Sequence, residues 1–284
     1  MLRHLFIMMI MTIVVCQATS QRFGIRAGLN YTKFSGPTEE GVNEKFSLAN
    51  GFHFGVNYAY KFAENLSVKG ELLYTQIGTN YSYEGRSYYR VPLSNAFIAK
   101  TGQTKINMKV SNAYISVPIT LQWEASKKLE LFAGAYASFL IGPKGNGTME
   151  FVHSNDSLFF QQGLIHNYNK DVVRGSSNPF GPSVWVNGKV TRLARDAGAY
   201  YNMSEGDKTG NLYRVFDFGL TGGANYFINK GFYVGLRYDI GLRDVTNDDV
   251  DFLKNSYDEA NNIGVKAKHF DTNVGFQASF GFRF

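Results

Sequence analysis

Cysteine is almost missing from this sequence: Cys16 is the single one in 284 residues. It falls within an N-terminal stretch that reads as a leader. Once that stretch is removed no thiol remains, so disulfides play no part. Prolines number only 6. Beyond the N-terminus no apolar run approaches the roughly 20 residues of a helical membrane span. The mean hydropathy of -0.22 likewise argues against a helical membrane protein. Catalytic signatures are absent too: there is no Gly-x-Ser-x-Gly elbow and no His-Glu-x-x-His pair. Lysines and arginines are scattered rather than striped, and no nucleic-acid motif occurs, so no nucleic acid is expected as a partner.

What the chain has instead is 30 glycines, 24 phenylalanines and 18 tyrosines, a β-rich and aromatic-rich balance. Residues 1–20 have the form of a cleaved secretory signal. Arg3 and His4 begin it, residues 5–15 are apolar, and Ala18-Thr19-Ser20 precede Gln21. Cys16 invites a lipid anchor, but Val15 stands where such sites carry a small residue. Loss of Arg3 lowers the formal charge from +6 to +5.

The remainder, 21–284, alternates. From Asn273 on, Val274, Phe276, Ala278, Phe280, Phe282 and Phe284 are apolar, while Asn273, Gly275, Gln277, Ser279, Gly281 and Arg283 are polar or glycine. Strand side chains point to opposite faces in turn, so this segment has one greasy face and one wet face. The same pattern recurs at 23–31, 52–62, 66–75, 112–123, 129–141, 216–226 and 232–242. Pro118 lacks a ladder donor and predicts a bulge or a weakly paired point. Long and short links alternate: 33–50, 78–109, 142–212 and 244–268 are long, and the others are tight turns. A small hairpin is expected around Glu84-Gly85-Arg86. Another is expected at 184–190, where Asn187-Gly188 suits a type I′ turn.

Eight strands joined in this way predict an all-β fold. It is an eight-stranded antiparallel transmembrane β-barrel with long extracellular loops and short periplasmic turns. The last strand should close on the first. Outward aromatics at the short-turn end (Phe23, Tyr60, Phe62, Trp123, Tyr226, Phe232 and Phe282) form the expected periplasmic girdle. A soluble barrel with its apolar face inward would explain the alternation, but not the secretion signal or the rim aromatics.

The chain resembles the PorT-like outer-membrane β-barrel family of Gram-negative bacteria. The resemblance rests on Phe23-Gly24-Ile25-Arg26-Ala27-Gly28-Leu29-Asn30 and Tyr114-Ile115-Ser116-Val117-Pro118-Ile119-Thr120-Leu121. Phe216-Asp217-Phe218-Gly219-Leu220 and Gly281-Phe282-Arg283-Phe284 add to it. It implies an outer-membrane location, lipids and the outer-membrane assembly machinery as partners, and Phe284 as the assembly signal. Some family members take part in secretion, which implies a structural or accessory subunit of a surface complex. The 142–212 insertion departs from the family's compact pattern.

The wet face carries Arg26, Lys69, Glu71, Glu124, Asp217, Arg237, Asp239 and Arg283. Eight strands leave room only for side chains, and buried charges must pair, so these residues should form an ion-pair network filling the lumen. A small-solute channel is the alternative. An outer-membrane lipid-modifying enzyme is another, but His53, His153, His166 and His269 lack any catalytic setting, and Ser47 near His53 makes no motif. No enzyme activity, cofactor or metal is expected. Asp244, Asp248, Asp249 and Asp251 crowd one loop without the EF-hand spacing. Asp156-Ser157-Leu158 matches a short O-glycan acceptor. In the large insertion Phe159, Phe160, Tyr168, Trp185, Tyr200 and Tyr201 are candidate anchors for another outer-membrane or surface protein. Packing of these rings among themselves is the other possibility.

Overall fold

The computed structural model describes residues 21–284, except 94–96, 154–157, 174–175, 179–180, 187, 205 and 259–262. The leader, the glycan acceptor's Asp156 and Ser157, and Asn187 therefore lie outside the described residues. In chain order the strands begin with β1 (Gln21–Ser35), β2 (Asn43–Ala63), β3 (Leu66–Pro92), β4 (Phe97–Glu124) and β5 (Leu129–His153). They continue with β6 (Phe159–Asn167), β7 (Ser176–Asn178), β8 (Ser183–Val186), β9 (Lys189–Arg192) and β10 (Asp196–Ala197). The last five are β11 (Phe216–Phe227), β12 (Phe232–Gly241), β13 (Phe252–Asp258), β14 (Ile263–Lys266) and β15 (Thr272–Arg283).

Eight of these close a ring in the order β5-β11-β12-β15-β1-β2-β3-β4, and β4 returns to β5. The closing seam is β1 on β15, with Ile25 opposite Phe282 and Leu29 opposite Ala278. It follows from the alternation. Any one-residue slip would turn every phenylalanine of β15 inward.

The ring is polar inside and apolar outside. Ile25, Leu29, Phe54, Leu72, Ile119, Leu236 and Phe280 are exposed, while Arg26, Asn30, Glu71, Thr120, Arg237 and Gln277 are buried. Pro118 leaves its trace as a gap in pairing. The β3–β4 ladder runs to Gly70 opposite Ile119 and resumes at Leu73 opposite Ser116 without a change of register. The β4–β5 irregularity lies instead at Ala113 and Tyr114.

The long links are shorter than the sequence suggests, because strands run through much of them. β2 to β5 have 21, 27, 28 and 25 residues, against 12, 10 and 12 for β11, β12 and β15. One side of the ring is therefore a tall wall. Glu84, Gly85 and Arg86 make no turn. They continue β3, facing Lys105, Thr104 and Gln103 of β4. Tyrosines on both sides favour extended backbone, and Gly85 lies so close to Val42 that a Cβ there would clash. Likewise residues 142–153 prolong β5 and pair with β4 and β6, so the large insertion begins near 154.

The hairpin at 184–190 is present as β8–β9, with Gly188 at φ 75°. β13 and β14 form a further hairpin inside the last long link, which shows no clear alternation in sequence. Its Tyr257 ring sits 4.6 Å from Tyr88 of the wall. Tyr83, Tyr89, Met149, Phe151, Phe160 and Leu164 pack into one apolar core on the wall. Phe34, Tyr114, Tyr168 and Tyr213 pack into a second, at the junction of wall and ring.

Candidate functional site

The lumen is crossed at mid-height by charge. Arg237 on β12 and Glu71 on β3 form an ion pair with short contact. In the ring these two strands are four places apart in either direction, so the pair spans the full diameter. Arg26 of β1 reaches both oxygens of Glu71 at 3.3 Å, and Lys69 of β3 comes to 3.3 Å. Glu71 is fully buried and the three cations nearly so. Arg26 also donates to Ser279 at 2.7 Å and lies 3.5 Å from His53, whose other nitrogen is 2.7 Å from Asn30. His53 is thus an interior residue. Ser47 belongs to the outer half of the β2–β3 hairpin, opposite Asn80, and has no part in any dyad.

The other charged residues sort by height. Glu124 lies at the short-turn rim with Arg22, Lys61 at 2.9 Å and Arg283 at 3.8 Å. Arg283 also lies 3.4 Å from Glu130, a buried carboxylate that pattern reading left out although it occupies an inward position of β5. Asp239 accepts from Gln277 at 2.7 Å and from Thr221, and Asp217 accepts from Asn273 at 2.9 Å. These three partners are two amides and a hydroxyl, all neutral. Asp217 and Asp239 thus make no direct ion pair with the cations on Glu71, although Arg237 and Arg26 attract Asp239 at longer range.

Inward aromatics complete the filling. Phe132 lies under Lys69 and Arg237, at 5.6 and 5.3 Å from the ring centre, and Phe227 under Arg283 at 4.2 Å. Such cation–ring contacts stabilise a charge that has left water. Glycines make the space: a Cβ on Gly223 would meet the Phe132 ring at 2.7 Å, and one on Gly281 the Tyr233 ring at 2.4 Å. A void of about 30 Å³ remains beside Arg237 and Asp239, room for about two waters.

Phe23, Tyr60, Phe62, Trp123, Tyr226, Phe232 and Phe282 stand on outward positions at the short-turn end, exposed or half-exposed. Phe284 is 74% exposed and its N–H donates to the carbonyl of Phe23 at 2.8 Å.

Of the aromatic anchors in the insertion, three are corrected by the structure. Phe160, Tyr168 and Tyr200 are buried. Phe160 packs on Tyr89, and the Tyr200 hydroxyl donates to the Tyr168 carbonyl at 2.6 Å. Tyr201 is half-buried against Tyr89. Phe160 takes an inward position of β6, which buries its apolar face against the wall, while Tyr168 packs on Tyr213 in the second core. Phe159 and Trp185 remain exposed.

The acidic loop does not converge on one point. Asp244 accepts from Thr246 and from the Asp271 N–H at 3.1 Å, Asp248 lies 4.0 Å from Arg214, and Asp249 lies 3.4 Å from Lys266. Asp251 turns into an outer chamber shared with Asp271, Glu39, Glu44, Lys254, His166 and His269. Burial, reinforced by Asp251 and Asp244, pushes Asp271 up to about 7. Burial pushes Asp251 to about 6, against the pull of Lys254 and His269. Both values exceed the ordinary carboxylate value, so the folded chamber binds these protons more tightly than the unfolded chain does. Their contribution to stability is full below about pH 4 and is lost as pH rises through 6 to 7. Hydrogen exchange in 244–271 should therefore be slower at pH 5.5 than at pH 8. Equal rates after correction for intrinsic exchange would contradict this.

The family model for the outer membrane protein beta-barrel domain matches residues 17–247. No curated protein matches the sequence. Among solved structures, the attachment invasion locus protein Ail of Yersinia pestis is similar at 12% identity, over 94% of this chain and 100% of that one, with a TM-score of 0.36. OprG of Pseudomonas aeruginosa is similar at 9% identity over 93% and 96%, TM-score 0.34. The outer membrane protease OmpT of Escherichia coli is similar at 8% over 94% and 97%, TM-score 0.30. With apolar residues outside, charges inside and the family match over most of its length, this chain belongs to the outer membrane protein beta-barrel domain family and resides in the outer membrane.

Proposed function

We propose that the protein is a PorT-like, eight-stranded transmembrane barrel with a closed lumen, non-enzymatic, serving as a structural or accessory subunit of a surface or secretion complex. The observation that carries the reading is the Arg237–Glu71 pair across the ring, with Arg26 and Lys69 on the same carboxylate. A solute-sized path cannot coexist with it. β11, β12 and β15, at 12, 10 and 12 residues, suit a bilayer span of roughly 9–11 residues. The short turns then face the periplasm, and the tall wall and chamber stand outside the cell. Outward Phe23, Trp123 and Phe282 meet the inner interface of the membrane, where aromatic rings favour the headgroup level.

Purified protein in planar bilayers should give no stable conductance steps. Large, lasting steps would defeat the closed-lumen reading. Partner contact falls to the outer surface, where Trp185 and Phe159 are the exposed rings left from the insertion. Trp185→Ser combined with Phe159→Ser should deplete proteins that co-purify in mild detergent with the wild type. An unchanged set would remove these rings from the interface.

A further inference from the structure

Between the wall, the β13–β14 hairpin and the mouth of the ring lies a cavity of about 180 Å³. A single water needs roughly 10–15 Å³ of such space, so it has room for about a dozen waters or one small organic molecule. The walls combine tyrosine rings with carboxylates. Two of the carboxylates are already satisfied. Glu39 accepts the backbone N–H groups of Lys254 and Asn255 at 2.8 and 2.9 Å, and Glu44 accepts the Tyr81 hydroxyl and the Glu39 N–H at 2.7 Å each.

Two other groups are not. Asp271 Oδ1 and His166 Nε2 have no hydrogen-bond partner among the described residues, although their residues are only 5% and 7% exposed. Both line the cavity, and Asp251 lines it beside them. The other ring nitrogen of His166 lies 3.1 Å from the Tyr168 hydroxyl, which in turn points its hydrogen at the Met108 sulfur, 3.8 Å away. Nδ1 is thus engaged, and Nε2 is the ring nitrogen left without a partner. An unpartnered buried carboxylate oxygen and an unpartnered imidazole nitrogen are costly unless something donates to them.

The protein shows how these walls hold an ammonium group. Lys254 Nζ sits 4.9 Å from the centre of the Tyr81 ring and 4.0 Å from Glu39. It occupies the Glu39 side. Asp271 and Asp251 feel Lys254 only through longer-range attraction, and Tyr213 and Tyr168 stand edge to face at 4.7 Å in the wall of the same chamber. Among the described residues no three His, Cys, Asp or Glu side chains are grouped to hold a metal ion. The tyrosine, phenylalanine and methionine lining suits a carbon skeleton rather than a hydrated ion.

We propose that this chamber binds a small organic cation. Its primary ammonium group donates to the unpartnered Oδ1 of Asp271, with Asp251 adding negative charge to the same chamber, and its apolar body lies against Tyr168 and Tyr213.

The test is calorimetric titration of the full chain in detergent micelles with phenethylamine and, separately, with 2-phenylethanol, which replaces the ammonium by a hydroxyl. Saturable binding of the amine and at least about tenfold weaker binding of the alcohol are expected, since a charge-assisted bond to a buried carboxylate is lost. Asp271→Asn should weaken the amine about tenfold or more and narrow the gap between amine and alcohol. Asp251→Asn, at the neighbouring carboxylate, provides a second variant if the first fails to fold, with folding checked by heat-modifiable mobility on gels. Equal binding of amine and alcohol, or no binding of either by the wild type, would overturn the proposal. So would displacement of the amine by equimolar calcium, which would reassign the carboxylates to a metal. A conducting lumen would refute the closed barrel but leave this titration untouched.

Discussion

Replacing Glu71 by alanine should destabilise the folded protein by about 3–5 kcal/mol, the usual penalty for removing one partner of a buried ion pair. Three cations, Arg26, Lys69 and Arg237, converge on this one carboxylate. Without it they would face each other across a lumen that admits about two waters in its nearest void. Desolvation disfavours each charge, and repulsion among the three adds to the cost. The measurement is urea unfolding in detergent or lipid, followed by the fluorescence of Trp123 at the rim. Glu71→Gln should lose less, because an amide oxygen still accepts from one guanidinium. Glu71→Leu with Arg237→Leu should recover part of the loss, since removing both partners of a buried pair is far milder than stranding one. A Glu71→Ala midpoint within about 0.5 kcal/mol of wild type would show that water already hydrates the three cations, and the closed lumen would fall with it. The same variant in planar bilayers should pass ions where the wild type does not, and with three positive side chains in the path it should favour anions.

How far the sequence reveals this arrangement depends on range. Alternation at 23–31 or 273–284 is a period-two pattern written in neighbouring residues, so faces and seam can be read from it. Gln277 and Arg237 are inward because their neighbours Phe276, Ala278, Leu236 and Tyr238 are apolar. The membership of Arg26, Lys69, Glu71 and Arg237 in one cluster was legible only as a demand that buried charges pair. Which charge meets which depends on strand stagger, which no local pattern carries. Asp217 and Asp239 share the inward face, yet they lie with amides and a hydroxyl. Phe132 and Glu130 were hidden because the inward face of β5 reads Glu130, Phe132, Gly134, Tyr136, Ser138. Its aromatics mimic an outward set.

The tall wall was missed for a related reason. Where β3 and β4 extend beyond the ring both faces can be mixed, so Tyr81, Tyr83, Tyr88 and Tyr89 show no clean period and suggest a loop. The outer chamber was invisible altogether. Asp271, His166 and Lys254 come from segments more than 80 residues apart at their widest, and only the docking of β13–β14 on the wall brings them together.

Phe132→Ala should be nearly as damaging as the loss of Glu71, at about 3–5 kcal/mol for a buried ring cut to a methyl group. The ring is 6% exposed, lies over the bare backbone of Gly223 and supports both Lys69 and Arg237. Two contributions can be separated. Phe132→Leu keeps most of the volume and abolishes the π face, so its deficit from wild type reports the cation–ring part, on the order of 1–2 kcal/mol. The further drop from leucine to alanine reports packing. Gly223→Ala must also destabilise, but Phe132→Ala should not rescue it, because the new Cβ would lie 2.1 Å from the carbonyl oxygen of Leu236 as well as against the ring. Phe132 and Glu71 share two cations, so their effects should not add. In a Glu71→Gln background the ring shares the support of Lys69 and Arg237 with Glu130 and Asp239, and Phe132→Leu should cost more there than in wild type. Simple additivity within about 0.3 kcal/mol would mean that the ring only fills space. The cations would then owe their place to the carboxylates, with Glu71 foremost.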